Sequence, residues 1–298
     1  MALIDRIADA NRHNYSDFIP WLVAGVRVGC VRRSFAHTLA RWPEVFLVRE
    51  NVIRMSASLD DPQTPYDTRT EAVEQVCRQL HIEGVVRGWR NEQYTVAANF
   101  QAPPLLLMER AAVPWFGVTA YGVHMNGYVQ DAHGLDHMWI ARRALNKPTS
   151  AGKLDQIVAG GQPFGIELRD NMIKECAEEA SIPFELAQHV RPVGALTYVT
   201  ETDEGMQPDV IFNFDLQLPE GFSPVNADGE VDEFYLWDIG KIHDVISESQ
   251  QFKNNCALVI IDFFIRHGHL AADHPEYQAL TSGLLPDIRA VPEHWNRQ

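Results

Sequence analysis

The segment Gly160-Gly-Gln-Pro-Phe-Gly165 runs into a helical stretch, Leu168–Ala180, that carries Glu175, Glu178 and Glu179. At about 100° per residue the three carboxylates fall at roughly 0°, 300° and 40° on a helical wheel. Ile173, Cys176, Ala177 and Ala180 occupy roughly 100° to 200° of the same wheel, so one side is set for burial and the other is acidic. Most glutamate runs on helices are solvated faces, although like charges three and four residues apart repel. The upstream loop argues for more, because Gly160, Gly161 and Gly165 permit positive φ and close approach of a ligand. Mg²⁺ takes carboxylate oxygens, keeps waters and reaches substrate phosphates. A glycine loop entering an acidic helix therefore reads as a metal–phosphate site.

Other residues could serve such a site. Arg142, Arg143, Lys147 and Lys153 could grip a diphosphate, the arginines by bidentate pairing, although cations beside a strand end are as often solvated. Trp115, Phe116, Tyr128, Trp139 and Phe164 could stack on an organic group or face a cation, with core packing the alternative for each. Gly152-Lys153-Leu154 fails as a phosphate-binding P-loop, since Leu stands where Ser or Thr should ligate Mg²⁺. His267, His269 and His274 resemble a metal cluster, but no partner is evident in the sequence. Cys176 falls on the apolar side of its helix, which argues against a thiol nucleophile, and no Gly-X-Ser-X-Gly elbow exists.

The elements that must position these residues follow from periodicity. Leu3, Ile4, Ile7 and Ala8 recur at helical spacing, Val23–Val31 is strand-like, and Thr70–Leu80 is helical, with Ala72, Val73, Val76, Cys77 and Leu80 on one face. The pair Pro103-Pro104 and the single Pro114 suggest a boundary near residue 113. Beyond it, apolar β-type segments (Phe116–Val123, His137–Ala141) alternate with turn residues Asn126-Gly127 and His133-Gly134. A short apolar run, Leu154–Gly161, precedes the acidic helix. Three further β-type segments follow, Val193–Val199, Val210–Leu218 and Glu233–Trp237. Helices near Ile239–Ile246, Asn255–Arg266 and Glu276–Leu284 close the chain. The expectation is an α+β protein with a mixed sheet and two domains, 1–113 and 114–298.

Composition fits this. The chain has 298 residues, 25 Lys+Arg against 40 Asp+Glu, and a formal charge of −15. That acidity argues against nucleic acid as partner, because phosphate backbones are held by surplus Lys and Arg. No run approaches the roughly 18 apolar residues of a membrane span, and the N-terminal stretch lacks the apolar run of a signal peptide. Cys30, Cys77, Cys176 and Cys256 are scattered without a CxxC pair, which suits a reducing, cytoplasmic setting.

The stretch from Gly160 to Ile182 resembles the box of the Nudix hydrolase family: Gly, five residues, Glu, seven residues, then Arg-Glu-hydrophobic-X-Glu-Glu-X-Gly-hydrophobic. Setting Gly160 first puts Glu175 on the isolated Glu of the second half, Cys176 on the hydrophobic position, Glu178 and Glu179 on the paired glutamates, and Ile182 last. Three positions depart: Ile166 stands for the first Glu, with Glu167 one residue late, Lys174 for the Arg, and Ser181 for the Gly. In the family the first Glu and the Arg brace the loop against the helix, and both differ here. Phe116–Gly127, Trp139–Arg143, Lys147 and Gly152–Gly161 are similar to one subfamily, related to the Nudix half of fungal thiamine pyrophosphokinase fusions and to plant chloroplast Nudix hydrolases.

The resemblance implies a Nudix-type α/β/α sandwich with a mixed sheet, preceded by a smaller N-terminal α/β domain. It implies hydrolysis, dependent on Mg²⁺ with Mn²⁺ as a substitute, of a small-molecule diphosphate: thiamine diphosphate or its oxo and oxy analogues. ADP-ribose, dinucleotides and nucleoside diphosphates are the alternative, and a degenerate ligand-binding module is a further one. Glu175, Glu178 and Glu179 become metal ligands. Glu230 becomes the further acid from a later loop, with Asp203 and Glu204 as rivals. His124, Asn126, Trp139, Arg142, Arg143, Lys153, Gly160 and Gly161 become substrate-binding residues, and a homodimer the expected assembly.

Overall fold

The computed structural model describes residues 2–147, 149–227 and 229–297. The chain begins with α1 (Leu3–Ala10), whose Leu3, Ile7 and Ala10 form one buried stripe. A first α/β region follows: β1 (Phe18–Val23), β2 (Val26–Arg32), α2 (Arg33–Leu39), β3 (Phe46–Arg49), β4 (Val52–Met55), α3 (Tyr66–Ile82), β5 (Gln93–Val96), β6 (Leu106–Glu109) and the single turn α4 (Val113–Phe116). Strands β2-β1-β4-β3 make a four-stranded sheet, and β5 pairs with β6. The core here is built on Trp21, Phe46 and Phe116, whose rings lie 4.9 Å to 6.3 Å apart. The strand-like segment Val23–Val31 is broken near its start by a hairpin turn, Val23 ending β1 and Val26–Val31 lying in β2. Ala24 (φ 48°) and Gly25 (φ 77°) are both left-handed, as the tight turns that match strand twist require.

The second region holds β7 (Ala120–Gln130), β8 (Asp136–Arg143), β9 (Leu154–Gln156), β10 (Val158–Gly161), α5 (Leu168–Ala180), α6 (Phe184–Ala187), β11 (Arg191–Glu201), β12 (Met206–Gln217), β13 (Val231–Asp238), α7 (Ile239–Glu248), α8 (Asn254–Arg266) and α9 (Tyr277–Gly283). Its sheet runs β11-β12-β7-β8-β13, with β10 on β7 and β9 on β8. The β7–β12 pair is parallel and the others are antiparallel, which makes the sheet mixed. Met172, Cys176 and Ala180 of α5 pack on one face with Val123, Met125 and Phe214. Helix α8 covers the other with Tyr128, Met138, Ile140 and Ile211, and α1 joins it there through Leu3 and Ile7. The layers are helix, sheet, helix, as expected. Among the described residues no helix is long and apolar enough to cross a membrane.

Asn126-Gly127, expected as a turn, lies inside β7. The Asn126 amide donates to Asp215 Oδ1 (3.1 Å). A Cβ on Gly127 would come within 2.8 Å of Ile157. Tertiary contacts override the local turn signal. His133-Gly134 does turn the chain, between β7 and β8, with Gly134 at φ 77°.

Candidate active site

Strand β10 delivers the glycine pair. It runs antiparallel to β7, with Gly160 opposite Val123 and Gly161 opposite Gly122. Helix α5 then crosses back over it. Its buried stripe is Met172–Cys176–Ala180, at i, i+4 and i+8, while Ile173 is half-buried and Ala177 exposed. That stripe is rotated from the expected one, and the rotation matters: it draws Glu175 and Glu179 in toward β10 and leaves Glu178 exposed. Glu179 Oε2 accepts the Ala159 N–H at 2.7 Å. Glu175 occupies the space over Gly160, where a Cβ would stand 2.4 Å from its Cδ. Gly160 is thus the only residue type that leaves room for this carboxylate.

Both buried-side carboxylates hold protons more tightly than usual. For Glu175 burial is the main cause, offset by Lys174 and reinforced by Glu178 and Glu92. For Glu179 burial again leads, eased by the Ala159 N–H and reinforced by Asp155, Glu175 and Glu230. Lys174 Nζ lies 3.1 Å from Glu175 Oε1 and 2.7 Å from Glu178 Oε2, a cation seated between two of the acids. Three carboxylates that share a single close ammonium are hard-oxygen donors of the type Mg²⁺ and Mn²⁺ take. The donor set fits such an ion.

The loop between β10 and α5 is held without the expected Glu–Arg pair. Asn171 Nδ2 donates to Gly161 O (2.7 Å) and to Gln162 Oε1 (3.0 Å), and Gln162 Nε2 donates to Ile166 O (2.6 Å). Two buried amides therefore brace the loop against the helix. At the helix end Ser181 adopts the left-handed conformation (φ 51°) and donates its hydroxyl to Val225 O (2.8 Å).

A cavity of about 410 Å³ opens over these groups. Of the sequence-derived candidates it gathers His124, Arg143, Lys147, Gly160, Gly161, Glu175, Glu178, Glu179 and Glu230. Arg143 pairs with Asp155 (2.9 Å), and Lys147 pairs with Glu230. Burial alone would raise Glu230, but Lys147, with Arg90 and Arg143 further out, brings it below the usual range. The buried His124 sits over a polar cluster. Its Nδ1 bonds Gln156 Oε1 (2.7 Å), and Cys256 donates to Asp155 Oδ1 (2.7 Å). Burial, with Lys253 nearby, lowers His124 to about 4, so the imidazole is neutral. Burial works against the Asp155 charge, yet Lys253, His124 and Arg143 together bring that carboxyl down to about 2.

Other candidates lie elsewhere. Asn126 is buried against Asp215, which Arg266 and His267 also engage. Trp139 packs with the apolar face of α5. Arg142 lies over the Tyr235 ring (5.4 Å), and Lys153 Nζ donates to Gln250 O (3.2 Å). Phe116 and Trp115 belong to the first core, Tyr128 stacks edge-on to Phe263, and Phe164 lies beside Tyr66. Asp203 and Glu204, in the β11–β12 turn, do not line the cavity. His267 and His269 do find a partner, Asp136 of β8, at 3.8 Å and 2.9 Å, away from the cavity, whereas His274 stands apart.

The cavity also takes residues the sequence did not single out. Arg90, Tyr94 and Arg110 come from before residue 113, and Tyr121, Tyr198, Asp209, Lys253 and Asn255 from after it. A Cβ on Gly161 would stand 1.8 Å from the Tyr94 hydroxyl, so the first region closes directly on the glycine pair.

Residues 2–120 match a family model described as a domain of unknown function, DUF4743. The chain is similar to Nudix hydrolase 20, chloroplastic, of Arabidopsis thaliana, at 38% identity over 284 residues, covering 92% of this chain and 75% of that protein. Nudix hydrolase 24, chloroplastic, of the same plant is also 38% identical, over 278 residues, with the same coverage of both chains. Among solved structures, a C. elegans Ap4A hydrolase aligns at 12% identity and a TM-score of 0.38, over 51% of this chain and 99% of that one.

Proposed function

The chain belongs to the Nudix hydrolase family, enzymes acting on diphosphates, and from that premise we propose that its substrate is thiamine diphosphate or an oxo or oxy analogue, cleaved to the monophosphate. The observation that most supports the site is the convergence of Glu175, Glu178, Glu179 and the Gly160-Gly161 pair on one cavity that also holds Arg143 and Lys147. The resemblance of Phe116–Gly127 and Gly152–Gly161 to the thiamine-related subfamily supports the substrate.

In this reading Glu175, Glu178 and Glu179 hold Mg²⁺ or Mn²⁺, and Glu230 is the further acid. A divalent ion in that place neutralises charge on the phosphoryl oxygens. The chain's own residues do the rest. Gly160 and Gly161 let the diphosphate approach the backbone, and Arg143 and Lys147 hold its oxygens. Glu230 takes the single proton that the attacking water gives up. Glu230 is kept ionised by Lys147, as a base must be. Residues 1–113 act as the wall that completes the cavity, through Arg90, Tyr94 and Arg110, with 114–298 as the hydrolase proper.

The test is phosphate release with Mg²⁺ from thiamine diphosphate, its oxo and oxy analogues, ADP-ribose, NADH and nucleoside diphosphates, with nucleotide products followed in parallel. Release confined to the thiamine compounds, abolished by chelation, and at least about a hundredfold slower in Glu179→Gln is the expected result. Turnover confined to nucleotides keeps the hydrolase and overturns the thiamine assignment.

A further inference from the structure

Asp136 opens β8 on the face it shares with Met138 and Ile140, the face that α8 covers. His267 and His269 follow the end of α8, where Gly268 (φ 75°) reverses the chain and the Leu270 N–H closes the turn on Phe264 O (3.1 Å). The reversal brings two histidines to one carboxylate. Asp136 Oδ2 lies 2.9 Å from His269 Nε2 and 3.8 Å from His267 Nδ1, and the three donor atoms all fall within 4.8 Å of one another. Donors held at about 2.0–2.1 Å by one tetrahedral ion stand roughly 3.3 Å apart, so these spacings bracket the required one. The remaining polar atoms are engaged elsewhere. Asp136 Oδ1 accepts the Gln130 amide (3.2 Å), and His267 Nε2 lies 3.0 Å from Asp215 Oδ2, a buried carboxylate to which Arg266 and Asn126 also donate. A carboxylate so paired only accepts, so His267 Nε2 carries the proton and the neutral ring presents a lone pair at Nδ1. Among the described residues that Nδ1 makes no hydrogen bond, and the Asp136 oxygen it faces is beyond hydrogen-bond range. Two lone pairs thus oppose each other, and a cation between them resolves the opposition. A carboxylate behind the imidazole is also how a metal-binding histidine is held in place, and the Phe263 ring, stacked on His267 at 3.8 Å, fixes its plane.

We propose that Asp136, His267 and His269 form a metal site, separate from the acidic helix, that takes Zn²⁺, with water completing its shell on the exposed side of His269. Two imidazoles and one carboxylate are donors that suit Zn²⁺. They do not suit Mg²⁺, which prefers an all-oxygen set such as Glu175, Glu178 and Glu179. The two sites therefore sort two kinds of ion. The bound ion ties the end of α8 to the start of β8, away from the cavity, and the inference stands whether or not the diphosphate-hydrolase reading does.

The test is calorimetric titration of Zn²⁺ into chelator-stripped protein re-equilibrated with excess Mg²⁺, which keeps the carboxylates of the acidic helix occupied. Wild type, His269→Ala, Asp136→Asn and Glu179→Gln are compared. One equivalent of Zn²⁺ is expected to bind wild type and Glu179→Gln alike, and to bind His269→Ala and Asp136→Asn at least about tenfold more weakly. Should these two variants fail to fold, Co²⁺ reads the wild-type site without a substitution. The expected spectrum has the strong visible bands of a four- or five-coordinate ion, persisting in excess Mg²⁺. Wild type that takes up no Zn²⁺ overturns the inference and leaves the cluster as an ion pair held by protons. Zn²⁺ binding unchanged in His269→Ala, binding lost in Glu179→Gln, or only the weak bands of six-coordinate Co²⁺ overturns it as well.

Discussion

Two residues decide whether the acidic helix can work as a site. At Gly160 any side chain meets Glu175, since a Cβ would lie 2.7 Å from Oε1 as well as against Cδ. Gly160→Ala is expected to push that carboxylate out and lower kcat by about a hundredfold, the cost of misplacing a group by an ångström, with the thermal midpoint nearly unchanged. Wild-type kcat in this variant would show that Glu175 does not act from that position. Lys174 is the second. It bridges Glu175 and Glu178 where the family pattern has an arginine turned to other work, so a divalent ion must displace an ammonium to reach them. Lys174→Gln should lower the Mg²⁺ concentration for half-maximal rate by about threefold, a modest figure because the pair is half exposed. A Mg²⁺ titration of both proteins reads this directly. Protons compete as well. Glu175 and Glu179 are both raised, so metal affinity falls as pH drops toward the carboxylate range and recovers above it.

At the scale of elements, the loop and helix of the site stand without the ion pair that the box pattern supplies. The Asn171–Gln162–Ile166 amide chain holds them, and Asn171 is fully buried. Asn171→Ala removes two hydrogen bonds and strands the Gly161 carbonyl, for a loss of about 1–3 kcal/mol. The expected readouts are a thermal midpoint lower by several degrees and a raised KM; an unchanged midpoint would mean the loop is held by something else. Much of this level was legible beforehand. Leu168–Ala180 is bounded as its periodicity indicates, β11 and β13 extend the expected strands by one or two residues at each end, and β12 starts four residues earlier than expected and stops one residue short. The short elements were not legible. Strands β3, β4, β5 and β6 have four residues each, too few for a period to register, although β3 pairs with β4 and β5 with β6 close by in sequence. Asn126-Gly127 misled because a strong local turn pair was buried against Asp215 and Ile157.

For the whole molecule, the site's composition shows where reading a sequence stops. The carboxylates and glycines sit within twenty residues and announce themselves by spacing, whereas Arg90, Tyr94, Arg110 and Asp209 reach the cavity only through tertiary contacts that no local pattern encodes. The buried cluster beneath the cavity also sets a pH limit. His124 is lowered to about 4 from its ordinary 6.5. A depressed histidine contributes stability above the unfolded value that is lost as pH falls from 6.5 toward 4, to a limit of roughly 3 kcal/mol. Thermal melts should therefore drop across that window, and the drop should shrink in His124→Gln; equal slopes would assign the loss to other groups. The placement of α1 has a consequence for biosynthesis. Its Leu3 and Ile7 are buried with α8 and α9, elements about 250 residues later, the longest loop the chain must close. Helix α1 cannot bury this stripe until α8 and α9 have been made, so the hydrolase core is sealed only once those late elements are in place. A chain that lacks α8 and α9 leaves the apolar stripe of α1 uncovered, which is where a chaperone would find it.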